Sequence, residues 1–334
     1  MTATQPNRLS SSEIANLWNI YMIESLLIPF KKPLIRASQQ PMIRSVVEVA
    51  LGMSMEYVER IAELFRAEGL PVPRGFSDDD MNLEAPALYT DNYTLRYIHE
   101  MAKLGLHTVP QAAATSNRED VLDFLRKAYE DYDRLYRQSL ELLIARGIYA
   151  PAPPMPSPEP PEYIQGDSYF SGLFGPRRPM NAMEIMNVHY TIHENAVSKV
   201  LLRGFAQTAR DPELRDHFDR GARMAADIID ELEKLLSDER ISLSPTYDSE
   251  LLPSNVPLFS DKLMLATVTQ MGSGSLAIYG IRLSMVHRSD LSATFMKMIK
   301  NALLYAEDGV DLLVKRRWLE QPPTPRAAPE PVNA

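Results

Sequence analysis

The sequence contains no cysteine and little glycine. With 0 Cys in 334 residues, disulfides, thiolate metal sites and cysteine nucleophiles are all excluded. The 14 Gly residues are few for a protein built from sheets and tight turns, so we expect little β structure. A composition of 45% hydrophobic and 24% charged residues is typical of a globular chain with a full core.

Positively charged residues are fewer than negatively charged ones. The 35 Lys and Arg residues are outnumbered by 44 Asp and Glu residues, which gives a formal net charge of -9 at pH 7. Such a surface repels phosphate backbones and anionic lipid. We therefore expect neither nucleic acid nor a membrane surface as a partner.

The sequence also lacks a clear targeting or membrane segment. Residues 1–7 are polar, so no secretory signal is predicted. Residues 263–281 carry no charge and approach the length of a membrane span, but their centre is rich in Thr, Ser and Gly. We predict a buried core helix there, no membrane span, and a cytoplasmic protein.

An internal duplication dominates what the sequence does contain. When the chain is shifted by 171 residues, Glu13 aligns with Glu184 and Pro41 with Pro212. A shift of 170 residues aligns later positions, which pair Asp91 with Asp261, Leu95 with Leu265, Arg118 with Arg288, Asp120 with Asp290 and Arg146 with Arg316. Self-similarity at a fixed period indicates repeated structural units, so we predict two copies of one unit of about 150 residues.

Proline-rich segments separate the two copies and close the chain. From 151 to 161, Pro occupies seven of eleven positions. This composition is typical of an extended, semi-rigid spacer. We predict a first bundle at 8–150, a linker at 151–176, a second bundle at 177–321 and a Pro-rich tail at 322–334.

Each copy is predicted to form four helices. The first helix opens with a capping box, formed by Ser10 and Glu13 in repeat 1 and by Asn181 and Glu184 in repeat 2. Gly147 is predicted to end the fourth helix of repeat 1. The other predicted starts are Pro41 and Pro212 for the second helices, Asp91 and Asp261 for the third, and Arg118 and Arg288 for the fourth.

The joint between the second and third helices is long in both copies, at 69–90 and 240–260. About 20 residues are enough to run back along a whole helix bundle. Because a long middle crossover is typical of ferritin-like bundles, the predicted fold class is all-α, with two tandem ferritin-like four-helix bundles. In this topology, helices two and three start at one end of the bundle, and helices one and four start at the other.

The repeated charged residues acquire a predicted role from this topology. Arg44 would pair with Asp91 at one end, and Glu13 with Arg118 at the other. In repeat 2 the same pairs are Arg215 with Asp261 and Glu184 with Arg288. The alternative is that each acid caps the start of its own helix.

Two helix-breaking positions also recur between the copies. Pro33 aligns with Gly204, and Pro110 aligns with Gly280. Pro and Gly share a poor fit to a helix interior. We therefore predict a kink or a helix end at these levels.

Four stretches carry a family resemblance: 71–77 (PVPRGFS), 204–207 (GFAQ), 260–264 (SDKLM) and 318–323 (WLEQPP). They resemble the duplicated proteins called domain of unknown function family 3231, which are typical of endospore-forming bacteria. The resemblance covers nearly the whole chain. It implies a ferritin-like fold and similarity to spore coat proteins, and therefore association with sporulation, but no established activity.

Histidines in repeat 2 are the candidate metal ligands. Ferritin-like di-iron sites use Glu-x-x-His pairs, and this sequence has none, so an intact di-iron site is not predicted. His189 and His193 lie one helical turn apart, and with Glu184 or Glu194 they would form part of a mononuclear metal site. Because Trp18 and Met22 occupy the aligned positions of repeat 1, the alternatives are histidines that pack in the core and histidines that bind a small ligand.

The sequence contains no familiar signature of catalysis. Gly-rich phosphate loops, Gly-x-Ser-x-Gly elbows and His-Glu-x-x-His motifs are all absent. We predict a non-enzymatic structural or interaction protein without an organic cofactor, which acts through a protein partner, through self-association or through the groove between its bundles. The alternative is a metal- or small-ligand-binding bundle with its site in repeat 2.

Overall fold

The computed structural model describes residues 8–155, 160, 162–173, 177–242 and 245–324. These residues form eight α-helices and no named strand, which confirms the all-α prediction. Repeat 1 contains α1 (Ser11–Ala37), α2 (Pro41–Ala67), α3 (Asp91–Ala114) and α4 (Glu119–Ala145). Repeat 2 contains α5 (Ala182–Thr208), α6 (Pro212–Asp238), α7 (Asp261–Met285) and α8 (Ser289–Lys315).

The helix ends follow the predicted local signals. The Ser10 side chain accepts from the Glu13 N–H, and the Glu13 carboxylate accepts from the Ser10 N–H at 2.8 Å, which completes the capping box. Asn181 and Glu184 form the same box at the start of α5. Gly147 follows α4 with φ of 67°, a left-handed conformation that favours glycine.

Hydrogen bonds between helix starts fix the order of the helices within each bundle. The Asp91 carboxylate at the start of α3 accepts from the Gln40 N–H at 2.8 Å, just before α2. The Glu13 carboxylate near the start of α1 accepts from the Arg118 N–H at 2.9 Å, just before α4. The predicted sharing of bundle ends is therefore confirmed in repeat 1.

Repeat 2 makes the same two contacts. Asp261 accepts from the Asp211 N–H at 2.9 Å, and Glu184 accepts from the Arg288 N–H at 3.0 Å. All four acids thus satisfy backbone N–H groups that a helix start leaves without an intrahelical partner. The long crossover is present in both copies, while the ferritin-like classification stays a prediction.

The arginines at the other end of the bundles bind differently from what the sequence predicts. Arg44 donates to the Ser38 carbonyl, and Arg215 donates to the Ala209 carbonyl. Asp91 instead binds backbone N–H groups. Each arginine therefore lies at the same bundle end as its predicted aspartate partner. However, its guanidinium donates to a backbone carbonyl and not to the aspartate.

The aligned Pro and Gly positions do not end helices. Pro33 and Pro110 lie inside α1 and α3, and Gly204 and Gly280 lie inside α5 and α7. The predicted helix ends are wrong, because the helices continue through these levels, and a kink there stays a prediction. Gly204 has a packing reason, since a Cβ there would overlap the Tyr89 side chain of repeat 1.

The uncharged segment 263–281 lies in α7, and only its first half is a core helix. Leu263 is fully buried, whereas the Ile281 side chain is 59% exposed. In the described chain, no helix combines the length and the hydrophobicity that a membrane crossing requires.

The two crossover segments pair with each other in antiparallel fashion. The Asn82 N–H donates to the Leu258 carbonyl at 2.9 Å, and the equivalent Leu252 N–H donates to the Leu88 carbonyl at 2.9 Å. Because each bond has a counterpart 170 residues away, the repeats are related by an approximate two-fold axis. Two isolated bridges obey the same symmetry, Met81 with Phe259 and Tyr89 with Leu251.

Aromatic side chains from the crossovers enter the opposite repeat. The rings of Phe30 and Phe259 stack with their centroids 4.6 Å apart. The Tyr89 hydroxyl donates to the Leu201 carbonyl in α5 at 3.0 Å. The two bundles therefore pack directly against each other. Parts of the predicted Pro-rich segments, at 156–159, 161, 174–176 and 325–334, lie outside the described residues.

Candidate functional site

A cavity of about 280 Å³ lies between the repeats. Its walls come from α3 and α4 of repeat 1 and from α5 and α7 of repeat 2. Its lining combines aromatic side chains with charged ones. A concave apolar pocket with a few convergent polar groups is the usual form of a ligand site.

Four charged side chains of alternating sign form a chain along the cavity. Lys103 donates to Glu100 at 2.8 Å and lies 3.8 Å from the Glu194 carboxylate. Arg282 ends this row of charges and donates to Glu194 at 2.7 Å. None of these four side chains is more than 23% exposed. Charges this sheltered are stable only when they are paired.

His193 connects the charged chain to the crossover of repeat 2. Its Nε2 lies 3.1 Å from Glu100, and its Nδ1 lies 2.8 Å from the Tyr247 hydroxyl. An ionised carboxylate can only accept a hydrogen bond, and burial raises the pKa of Tyr247 to about 12, so its hydroxyl keeps a proton that can be donated to Nδ1. We therefore assign the Nε2 proton to the bond with Glu100.

The electrostatics of the site hold Glu100 in its ionised form. Burial would raise the pKa of this carboxyl, but Lys103 and His193 outweigh burial and hold the pKa well below its usual range. Glu100 also contributes to a raised pKa of Lys103, against the lowering effect of burial. At neutral pH these two groups form a charged pair.

His99 and Ser139 form the one pairing near the cavity that resembles a nucleophile with its base. The His99 Nδ1 lies 2.9 Å from the Ser139 hydroxyl. However, Ser139 is fully buried and donates to the Leu135 carbonyl at 2.8 Å. Burial lowers the pKa of His99 to about 4. The pair is therefore a packing contact between α3 and α4.

The aromatic wall consists of three tyrosines and His99: Tyr136, Tyr149 and Tyr190 all line the cavity with it. Tyr136 stacks on the His99 ring with the centroids 4.8 Å apart. The Lys103 ammonium lies 5.2 Å from the centre of the Tyr190 ring, within cation–π range. Burial and the neighbouring Tyr190 raise the pKa of Tyr149 to about 12. These rings offer an apolar surface with hydroxyl groups at its edge.

The three predicted metal ligands have separate partners. His193 lines the cavity as described above, and His189 Nε2 lies 3.2 Å from the Ala150 carbonyl. Glu184 is fully buried at the start of α5 and accepts from Arg178 at 2.7 Å. Across the described ranges, no group of three or more His, Asp or Glu side chains is placed to hold a metal ion. A metal at these residues stays a prediction.

The charged chain exists on only one side of the approximate two-fold axis. The aligned positions lie on α1, α3 and α7, and all of them are uncharged. Glu100, Lys103, Glu194 and Arg282 correspond to Gln270, Ser273, Ile23 and Ala112. From the sequence alone, Glu194 is predicted only as a metal ligand, and the other three residues carry no prediction. The available signal was a charge present in one repeat and absent from the other.

In the part of the chain that the structure describes, fold and site define a tandem-repeat helical protein with a polar cavity between its repeats. The family described as "Protein of unknown function (DUF3231)" matches residues 1–160 and 169–328. The chain belongs to this family, as its sequence motifs predict.

Comparison with other proteins adds one solved structure. A crystal structure from Bacillus halodurans C-125, named a "putative spore coat protein", is 21% identical to this chain with a TM-score of 0.40. The match covers 46% of this chain and 98% of that one. No curated protein matches the chain.

Proposed function

We propose that this protein is a non-enzymatic binding and interaction protein whose inter-repeat cavity holds a small zwitterion with an apolar or aromatic body, such as an amino acid. The observation that carries the proposal is the chain of alternating charges beside an aromatic wall. Because the symmetry-related side lacks these charges, the duplicated fold does not need them for its stability.

Alternating charges favour a ligand that carries both signs. Glu100 and Glu194 offer acceptors to an ammonium group, while Lys103 and Arg282 offer donors to a carboxylate. A ligand with a single charge would leave one sheltered charge without compensation, which is costly. A zwitterion places its ammonium group beside a carboxylate and its carboxylate beside a cation. The net charge of the site then stays zero.

The aromatic wall and the size of the cavity restrict the body of the ligand. Tyr136, Tyr149 and Tyr190 line the cavity with aromatic surface that suits an apolar or planar group. A volume of about 280 Å³ lies just below the usual range for ligand pockets, which begins at about 300 Å³. We therefore expect a small molecule rather than a peptide or a nucleotide.

The titratable groups support binding rather than catalysis. A catalytic acid or base works best with a pKa near the working pH. Glu100 stays ionised in its ion pair, and His99 stays neutral with a pKa of about 4. Ser139 is fully buried and does not line the cavity.

Calorimetric titration of the full chain tests the class of ligand. Phenylalanine carries both charges, phenylalaninamide lacks the carboxylate, and 3-phenylpropionate lacks the ammonium group. We expect the zwitterion to bind at least about tenfold more tightly than either analogue, equivalent to about 1.4 kcal/mol. A panel of the common amino acids extends the test to other side groups.

The matched variant is Glu100→Gln with Lys103→Ser, which installs the uncharged residues of the symmetry-related side. It removes one carboxylate and one cation together, so we expect a folded protein without zwitterion binding. Met42→Gln, at a side chain 66% exposed on α2, serves as the control and keeps binding. Equal affinity for the three ligands, unchanged binding by the double variant, or no binding by any amino acid would contradict the proposal.

Two predictions from the sequence keep their own tests. Association with sporulation is checked by following a fluorescent fusion in sporulating and vegetative cells of the host. A metal at His189, His193 and Glu184 is checked by elemental analysis of the purified protein. Stoichiometric metal that disappears in the His189→Ala and His193→Ala double variant would support the metal site.

A further inference from the structure

The outer face of α8 carries an exposed apolar stripe. Four of its residues follow one another at intervals of seven, seven and four along one side of the helix. A fifth residue, Leu304, lies beside them. The stripe comprises Met296 (55% exposed), Leu303 (47%), Leu304 (51%), Val310 (37%) and Val314 (56%). Residues at these spacings project from one side of an α-helix, as in helices that pair with a partner helix.

Charged residues divide the stripe into two halves. Lys300 lies in the N-terminal half of α8 and Glu307 in the C-terminal half, both exposed and both within the apolar stripe. Lys300 precedes Leu303 by three residues, and Glu307 follows Leu304 by three residues. The face therefore has a positive half and a negative half, with leucines at the centre.

The equivalent face of α4 is different. Met296, Leu303 and Leu304 align with Arg126, Asp133 and Arg134. On α4 these charges form ion pairs along the helix, such as Arg126 with Asp123 and Arg137 with Asp133. Because α4 occupies the same place in its bundle, the duplicated fold does not require an apolar outer face at this position.

We propose that the α8 face pairs with the same face of a second copy of this chain, in antiparallel orientation. Charge complementarity selects both the partner and the orientation. In an antiparallel pair centred between Leu303 and Leu304, Lys300 of one copy lies level with Glu307 of the second copy, about 5 Å from the centre. A parallel pair would place Lys300 against Lys300 and Glu307 against Glu307.

The proposed contact is an isologous, two-fold symmetric interface. The same patch serves both copies, so the assembly closes as a dimer. The leucines would lie at the centre of the interface, where apolar contacts contribute most to affinity. The charges flank this centre and set the orientation, as flanking charges do in coiled coils.

Analytical ultracentrifugation of the full chain over a range of concentrations tests the pairing. We expect a reversible monomer–dimer equilibrium in the native chain. Leu303→Asp with Leu304→Arg introduces the residues that α4 carries, so the helix tolerates them, and we expect a monomer with an unchanged circular dichroism spectrum. Met42→Arg, on the exposed face of α2, keeps the dimer.

Charge reversal separates this interface from non-specific hydrophobic association. Lys300→Glu places two carboxylates at each flank and weakens the dimer by about tenfold in Kd. Adding Glu307→Lys restores an opposite-charge pair across the interface and recovers the native Kd. A native chain that stays monomeric, a dimer that survives the leucine changes, or a double charge reversal that fails to recover would each overturn the proposal.

Discussion

The interiors of the two bundles use aligned positions in opposite ways. In repeat 1, the buried Glu24 accepts from Tyr132 and from Ser54, and Ser54 in turn accepts from Lys31 at 2.7 Å. Repeat 2 has Asn195, Ala302, Ala225 and Leu202 at these four positions. One bundle therefore buries a charged network where the other is largely apolar.

The difference extends to the space that the side chains fill. Tyr132 packs against Gly105, where a Cβ would overlap its ring. In repeat 2, Ala302 stands in place of this tyrosine and Ser275 in place of the glycine. A cavity of about 50 Å³ remains beside Ala302 and Tyr279. The comparison shows that substitutions within a repeat are coupled, because a large side chain on one helix requires a small one on the facing helix.

The largest expected effect comes from breaking the network of repeat 1. Burial lowers the pKa of Lys31 to about 8, and Glu24 opposes this shift. Glu24→Gln removes the carboxylate and leaves the Lys31 ammonium buried without its charge partner. We expect a loss of about 3 kcal/mol in the free energy of unfolding. Urea denaturation at pH 7 measures this loss.

Two further variants make this measurement specific. Lys31→Leu, which introduces the residue of repeat 2, recovers most of the lost stability when it is combined with Glu24→Gln, since the buried ammonium is gone. Glu63→Gln breaks an exposed ion pair with Arg60 and costs less than about 1 kcal/mol. If Glu24→Gln costs no more than Glu63→Gln, the buried network does not stabilise repeat 1.

The coupling between Tyr132 and Gly105 gives the second prediction. Gly105→Ser introduces the residue of repeat 2 into a space that the Tyr132 ring occupies. We expect a loss of about 1 to 3 kcal/mol through overpacking, measured as a lower denaturation midpoint. In a Tyr132→Ala background the same change costs clearly less. An equal cost in both backgrounds would show that the two positions are independent.

Much of each bundle follows from local rules that a single sequence displays. The capping boxes at Ser10 and Asn181 and the left-handed Gly147 depend only on neighbouring residues. The positions of Glu13 and Asp91 were predictable because a long crossover leaves few ways to arrange four helices. The predicted helix ends at Pro33 and Pro110 failed because packing around α1 and α3 outweighs the weak helix propensity of proline.

The contact between the bundles was not predictable in the same way. The crossovers pair through irregular segments around Asn82 and Leu258, which have no periodic pattern that would mark a strand. Glu100 and Lys103 have the spacing of an ordinary solvated helix pair. Their burial results from docking of the second repeat. Alignment of the two repeats is the signal that separates them from surface charges.

Buried histidines give a third comparison between the repeats. Their effect is measured as a change in protein stability with pH. His99 bonds to Ser139 in repeat 1, while Thr269 and Gly309 occupy these positions in repeat 2. There His217 from α6 lies next to Gly309, and its Nε2 has no hydrogen-bond partner among the described residues. Burial lowers the pKa of both His99 and His217 to about 4.

A lowered histidine pKa makes the protein sensitive to acid. The unfolded chain takes up these protons near pH 6.5 and the folded chain only near pH 4, so stability is complete above about pH 6.5 and is lost as the pH falls towards 4. His217→Val, the residue of repeat 1 at this position, should reduce the loss between pH 7 and pH 5 by about 1 to 2 kcal/mol. Urea titrations at the two pH values measure it.

An aromatic ring and a cation face His217. Its ring stacks on Tyr305, and its Nδ1 accepts from Arg220, which also pairs with Asp308. Arg220→Gln keeps the histidine but removes a cation that helps burial to lower its pKa, so it should reduce the loss by less than His217→Val does. A His217→Val protein with the same loss between pH 7 and pH 5 as the native chain would contradict the role of His217.

The smallest expected effect is a gain in stability from filling the cavity of repeat 2. Ala302→Val adds two methyl groups beside Tyr279, towards the space that Tyr132 fills in repeat 1. We expect a gain of about 0.5 to 1 kcal/mol, measured as a higher midpoint of thermal or urea unfolding. Ala102→Val tests the same substitution at a fully buried α3 position of repeat 1, where we expect it to destabilise through overpacking. Two changes of equal sign would mean that the repeats do not differ in packing as the cavity indicates.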